Sequence, residues 1–382
     1  MSERGTLYPP IEPYASGMRD VGDGHMPHWE RCGTAGMAAQ REGARLLCII
    51  GSDQDDKVFR IRPGKIKIGC STDIHHLISK QHPYHRLHVT RNYFRQQRRP
   101  ELSDYSCLLN LITEPENNQR VLENVRKILR DLPGKVINPP EAVLQSTRDQ
   151  VARRLAGIPG LIVPKAVRLR TAKPAIAAQA IERAGMQFPI ILRKTGTHTG
   201  RILGRFDEIG ELRAALIDGA EHIATEFIDF RSTDGLYRKY RVFFFGRQRV
   251  LRHMLVSDNW NIHGKDRKRF MTGRPDFTEV ERRLFAKPEG AFPDDVIRVL
   301  MAIGEQMPLD FFGIDFGFAP DGRVILFEAN ATMNFFPLST DPQFAYTKSC
   351  VEPARLALLE LLGFEPNSPT HPLSAADPEL AR

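Results

Sequence analysis

The stretch Gly313–Asn330, GIDFGFAPDGRVILFEAN, decides how the rest of the chain is read. Two apolar runs, one ending at Ala319 and one beginning at Arg323, flank Pro320-Asp321-Gly322-Arg323, a strong turn signal. The spacing predicts an antiparallel hairpin. Its second strand ends unusually, because Glu328 and Asn330 follow an apolar run where a buried strand normally stays apolar. A bare buried carboxylate costs several kcal/mol or takes up a proton. Residues two apart on a strand face one side, so Glu328 and Asn330 project together. Counting back across the turn brings Asp315 opposite the same neighbourhood. Three oxygen-bearing side chains then converge, the donor set that a hard cation such as Mg²⁺ takes, with phosphate oxygens completing the shell. The alternative is a strand end facing solvent, or polar residues capping the next helix; the spacing alone leaves both open.

Two upstream stretches bear on that choice. GTHTG (196–200) is a Gly-rich loop whose glycines allow positive φ and let backbone N–H groups approach a phosphate. Alone it is a weak signal, and a plain hairpin turn is the alternative. Arg193 and Lys194 before it and Arg201 after it strengthen the phosphate reading. ATEFIDF (224–230) is either a strand running into a loop or a hinge whose backbone reads an adenine edge, with Glu226 accepting from the exocyclic amine.

Around these lie 382 residues, 41% hydrophobic and 26% charged, with a formal net charge of +8. That is the composition of a soluble globular protein with two or three domains' worth of core. No apolar run is long enough to span a bilayer, and no signal-peptide core opens the chain. Cys32, Cys48, Cys70, Cys107 and Cys350 are scattered and form no CxxC, which argues against a disulfide framework or a structural zinc site and for a reducing, cytoplasmic compartment. The positive balance favours anionic partners. The densest basic runs, Arg86–Arg99 and Lys265–Arg269, read as solvated faces; no aromatic-rich RNA motif accompanies them, so nucleic acid is not the expected partner. His75, His76, His82, His85 and His88 cluster around Pro83 without a cysteine or carboxylate at ligand spacing, and read as surface or loop residues.

Strands alternating with helices over 45–140 predict a small α/β domain with a parallel sheet. Its strands are RLLCIIGSD, DYSCLLNLI and KVIN, with an amphipathic helix over 117–132. Helices are expected over 141–156, 173–185, 207–219, 294–307 and 342–362. Strands are expected over 188–194, 222–228, 237–246 and 248–257, with 258–276 as a mobile basic loop. Residues 1–44 read as a poorly ordered leader and 365–382 as a tail.

In this order the elements resemble the ATP-grasp superfamily of carboxylate–amine ligases, nearest in type to glutathione synthetase, D-alanine–D-alanine ligase and ribosomal-protein glutamate ligase. The resemblance covers residues 45–362 in architecture. It is most specific in GIDFGFAPDGRVILFEAN and supported by FPIILRKTGTHTG and ATEFIDF. It implies a fold of mixed α/β and α+β class: a pre-ATP-grasp α/β domain (45–140), then a small (141–228) and a large (229–364) ATP-grasp subdomain clamping ATP. It implies that Asp315, Glu328 and Asn330 bind Mg²⁺ or Mn²⁺ and that Arg241 contacts phosphate and acyl-phosphate oxygens. Glu226, Phe227 and Ile228 match the adenine hinge, and Gly196, Thr197 and Gly200 belong to the loop closing over the phosphates. Two ATP-contacting positions that are usually lysine fall on Arg148 and on Arg193 or, with a one-residue shift, Lys194. Arginine grips phosphate bidentately, so binding survives the change, but the substrate class transfers less well.

The implied activity joins a small-molecule or peptide carboxylate to an amine through an acyl phosphate, with no membrane partner; a homodimer is compatible with it. The alternatives are a small-molecule kinase of the same fold and an inactive nucleotide-binding regulatory module. Residues 6–33 resemble the beginning of proline iminopeptidases, but no G-x-S-x-G occurs in the chain, so that resemblance implies no peptidase activity.

Overall fold

The computed structural model describes residues 46–54, 72, 74–78, 84–95, 102–130, 132, 134–170, 173–195, 202–217 and 219–364. The leader and tail expected at 1–44 and 365–382, and the loop at 196–200 with Gly196, Thr197 and Gly200, lie outside them.

Strands buried on both faces read as continuous apolar runs, and β1 and β3, the central strands of the first sheet, are of this kind. β1 (Leu46–Gly51), β2 (Tyr84–Val89), β3 (Cys107–Asn110) and β4 (Lys135–Ile137) form a parallel sheet in the order β2-β1-β3-β4. Helix α1 (Gln119–Leu129) buries Val121 and Val125 of the stripe its periodicity predicts, and Leu122 beside them, while Ile128, Leu129 and Leu132 of that stripe pack partly buried against the same core. β2 corrects the reading of the basic run as a solvated face only. His85 and Arg86 are exposed, but Leu87 and Val89 are buried, so charged neighbours mask a short edge strand. The histidines there are strand rather than loop residues, and the His85 ring bonds the Tyr105 hydroxyl at 2.7 Å.

The single helix expected over 141–156 is two. α2 (Pro140–Leu144) and α3 (Arg148–Leu155) are separated by Gln145–Thr147, with Thr147 extended, so Arg148 opens a new helix. β5 (Leu161–Ile162), β6 (Ala166–Leu169), α4 (Pro174–Arg183), β7 (Ile190–Lys194), β8 (Ile202–Phe206), α5 (Ile209–Ala215) and β9 (His222–Glu226) follow. β6-β9-β7-β8 is an antiparallel sheet, with α4 and α5 sharing a core of Leu169, Ile181, Leu192 and Leu212.

The third sheet holds β10 (Tyr237–Phe245), β11 (Gln248–Ser257), β12 (Phe311–Phe318) and β13 (Val324–Asn330) in the order β11-β10-β12-β13-β5. The predicted hairpin β12–β13 forms, and β10 and β11 make a second one, with Gly322 (φ 87°) and Gly246 (φ 56°) in the left-handed backbone that their tight turns require. Phe244 and Phe312 are cross-strand partners and stack at 4.5 Å, which helps pair two strands far apart in sequence.

The loop expected over 258–276 is instead structured. A π-helical turn, Arg267–Met271, leads into α6 (Pro275–Ala286). Two charges of the basic run have partners there: Arg267 binds Glu281, and Arg269 binds Asp258 and Asp266. α7 (Asp294–Gln306) then precedes β12. The closing helix expected over 342–362 is a 3-10 stretch, Pro342–Cys350, followed by α8 (Val351–Leu362). Among the described residues no helix is long and apolar enough to cross a membrane.

Asn138 joins the parallel sheet to β12. Its Oδ1 accepts from the N–H groups of Asp310 and Phe311, both at 2.9 Å, and its Nδ2 donates to the Phe311 carbonyl at 2.7 Å. It is fully buried with φ 54°, where Asn is tolerated and Ala is not. Asn138→Ala is expected to destabilise the protein by about 3 kcal/mol, from orphaned N–H groups plus backbone strain. Asn138→Gly, which relieves only the strain, is expected to recover less than half of that in urea unfolding. Full recovery would place the cost in the backbone alone.

Candidate active site

Register across the third sheet sets the site. His253, Arg241, Asp315 and Glu328 stand directly opposite one another on β11, β10, β12 and β13. Directly opposed residues share a face, so one row of four polar side chains crosses the sheet. The register shifts beside this row in two places, leaving Arg252 as the extra residue on β11 and Phe327 as the extra residue on β13. Such bulges bend the strand and re-aim side chains.

Asp315 is 4% exposed. Arg241 grips it bidentately, Nε to Oδ1 at 2.6 Å and Nη2 to Oδ2 at 2.8 Å, and Lys239 Nζ lies 3.1 Å from Oδ2. Burial alone raises the pKa of this carboxyl, but Arg241 and Lys239 outweigh it and hold the group well below the usual carboxylate range. The resulting stability is present above the unfolded carboxylate pKa and is lost as pH falls through the depressed folded value. Lys239 is two residues from Arg241 on the same strand, so strand alternation alone places it on this face.

Glu328 Oε1 accepts from Arg148 Nη2 at 2.6 Å and from Asn330 Nδ2 at 2.8 Å. Arg148 Nη1 also donates to the Phe327 carbonyl at 2.7 Å, using the bulge. Both bonds to Glu328 fall on Oε1, so Oε2 is not consumed by them. Asn330 Oδ1 accepts from the N–H groups of Thr332 and Met333 at 2.9 and 3.0 Å, holding the turn after β13. In this arrangement its oxygen serves as a cap. Asp315 and Glu328, paired in register, are hard oxygen donors of the kind a divalent cation takes, and their arginine and lysine partners neutralise them meanwhile.

A cavity of about 900 Å³ lies between the β6-β9-β7-β8 sheet and the sheet of β10 to β13. Its floor carries Arg241, Asp315, Glu328 and Asn330, with Arg148 at the start of α3. Its other side carries Arg193, Lys194, Glu226, Phe227 and Ile228, and the loop after β3 adds Glu114 and Glu116. Every described residue expected at the site therefore lines one space. Burial, with Arg148 nearby, pushes the pKa of Arg193 down to about 9 against the pull of Glu328. An anion entering the cavity relieves that penalty.

The Glu226 carboxylate, expected to accept from an adenine amine, also has a structural task. Its two oxygens accept from the backbone N–H groups of Gln187 at 2.8 Å and Lys165 at 3.2 Å, so it clamps the approach to β6 and β7. The hinge surface is aromatic. Phe227 meets Trp260 edge-on at 5.4 Å, and Arg205 lies over the Phe227 ring at 5.0 Å. Trp260, also in the cavity lining, belongs to the segment expected to be a featureless loop. Among the described residues no group of three His, Cys, Asp or Glu could hold a metal; Asp315 and Glu328 bring two carboxylates to the site.

No known protein family matches the chain by sequence, and no curated protein does. Among solved structures the chain is similar to the D-Ala:D-Ser ligase VanG of Enterococcus faecalis, at 14% identity over 84% of this chain and 99% of that one, with a TM-score of 0.48. It is also similar to the macrocyclase MdnC of Microcystis aeruginosa MRC, solved with its precursor peptide MdnA, at 14% identity, 84% and 99% coverage and a TM-score of 0.45. A RimK domain ATP-grasp protein of Sphaerobacter thermophilus is similar at 13% identity, 83% and 99% coverage and a TM-score of 0.45. At these levels the likeness assigns no activity to this chain.

Proposed function

We propose that the chain is an ATP- and Mg²⁺-dependent ligase that joins a carboxylate to an amine. The observation that carries this reading is the in-register row Arg241–Asp315–Glu328 on the floor of a cavity whose opposite wall brings in Arg193 and Lys194. In this reading Arg148, Arg193 and Lys194 hold ATP phosphates, and the backbone around Phe227 and Ile228 faces the adenine. Asp315 and Glu328 would hold the metal, which would supply neutralisation of phosphate charge. A substrate carboxylate attacks the γ-phosphorus, ADP leaves, and an acyl phosphate forms. The amine then attacks the acyl carbon, phosphate leaves, and the amine loses a proton. No covalent enzyme nucleophile is required; positioning and charge stabilisation do the work, which suits a site of Asp, Glu, Arg and Lys. Arg241 stabilises the charge that builds on the transferring phosphoryl oxygens.

One observation favours a second reading, a nucleotide-binding module without turnover: Asp315 and Glu328 each already hold a cationic side chain. A screen of ADP release separates the readings. Amino acids and small carboxylates are offered singly and in pairs with MgATP, and products are identified by mass. The ligase reading expects ADP release that needs two substrates and yields an amide. A phosphorylated product from one substrate identifies a kinase. MgATP binding with no ADP release for any pair identifies the module.

A further inference from the structure

A second cavity, of about 570 Å³, adjoins the first and shares Arg241 and Asn334 with it. Its lining includes Arg252, His253, Arg267 and Lys268. Asp341 is the carboxylate in that lining, and its Oδ1 is spent on the N–H of Gln343 at 3.0 Å. Of the arginines and lysine in the lining, Arg241 is already neutralised by Asp315 and Arg267 by Glu281.

Arg252 is different. It is 8% exposed, and its Nε and Nη2 donate to the carbonyls of Phe335 at 2.6 Å and Pro337 at 2.9 Å. These are neutral acceptors, and among the described residues it forms no ion pair. The thiol of Cys350 offers no counter-charge, since burial pushes its pKa up to about 11. A buried guanidinium without a carboxylate is costly, and a bulge puts it there. In an unbroken strand Arg252 and His253 face opposite sides, yet both line this cavity because Arg252 is the inserted residue. Lys268, exposed in the basic run, adds a second cation that forms no ion pair among the described residues.

We propose that this cavity binds the anionic end, carboxylate or phosphate, of the substrate that reacts beside Arg241. The anion supplies the counter-charge that Arg252 lacks, while the shared residues Arg241 and Asn334 let the other end of the molecule reach the first cavity. The anion site follows from charge and burial; its role in holding a reacting substrate rests on the ligase reading above. Acceptors with a second negative group are then preferred over their neutral amides.

The test is calorimetric titration of the full chain with glutarate, inorganic phosphate and the uncharged control glutaramide, each with and without saturating MgADP. Glutarate or phosphate is expected to bind and glutaramide not to bind; which anion binds more tightly names the headgroup. Lys268→Glu, at an exposed position, is expected to weaken the anion at least tenfold. Arg252→Gln is expected to do the same, provided its thermal unfolding remains cooperative. Binding under saturating MgADP that is unaffected by Lys268→Glu overturns the proposal. Anion binding that persists when MgADP does not bind overturns the ligase reading and leaves the anion site standing.

Discussion

Glu328→Gln is expected to lower the rate of ADP release by at least about 100-fold while leaving the fold intact, a loss of the size seen when one preorganised charge is removed from a site. The amide matches the carboxylate in shape, so the bond from Arg148 to the side-chain oxygen can persist. What is lost is the charge that offsets Arg148 and Arg193 and, in the proposed reaction, one metal ligand. The side chain is 37% exposed, so the stability cost is expected to stay below about 1 kcal/mol. Asp315→Asn is a less clean probe, since it strands Arg241 and Lys239 in a buried place. Paired measurements of ADP release and thermal unfolding decide the matter; full activity in the Gln variant sinks the assignment of Glu328.

The largest expected effect on stability lies away from the first cavity, at Glu281. This residue is fully buried on α6. Arg267 grips it with two bonds of 2.6 Å, the Tyr346 hydroxyl donates at 2.7 Å, and the N–H of Met254 donates at 2.9 Å. It thereby satisfies a backbone donor of β11, the edge strand of the large sheet, and neutralises a guanidinium beside the second cavity. Glu281→Gln keeps the shape and removes the charge, leaving Arg267 uncompensated. The expected loss is about 3–5 kcal/mol, read as a lower urea midpoint with an unchanged slope. Adding Arg267→Met is expected to recover part of it, because an apolar replacement of both partners is far less costly than one stranded ion. A loss under about 1 kcal/mol in the single variant would show that the buried pair is not a structural tie.

The elements legible in the sequence share a physical basis. The hairpin at Gly313–Asn330 has strong turn chemistry and apolar runs on both sides, and it forms as expected. α1 and α7 have clear stripes, and both are present. The misses are segments where the periodic signal is short or masked by charge. β2 hides in a basic, histidine-rich run, and β5 and β6 are too short to show alternation. α6 begins at Pro275 with Asp276 in its first turn, ordinary start signals, but the basic stretch before it suggested a loop.

Local chemistry alone marked Asp315, Glu328 and Asn330 as an oxygen-bearing set across one hairpin and Arg193 and Lys194 as basic residues beside a Gly-rich loop, whereas Arg241 was singled out only by the family resemblance. What each side chain does was decided by pairing between strands distant in sequence. β10 lies beside β12, so Arg241 meets Asp315; a bulge at Phe327 puts Glu328 opposite Asp315 and offers a carbonyl to Arg148. The fold turned the Glu226 carboxylate to backbone N–H groups, and a second bulge brought Arg252, which forms no ion pair among the described residues, into the lining of a cavity. A one-residue shift in register moves a side chain to the other face, and no local pattern encodes where such a shift falls.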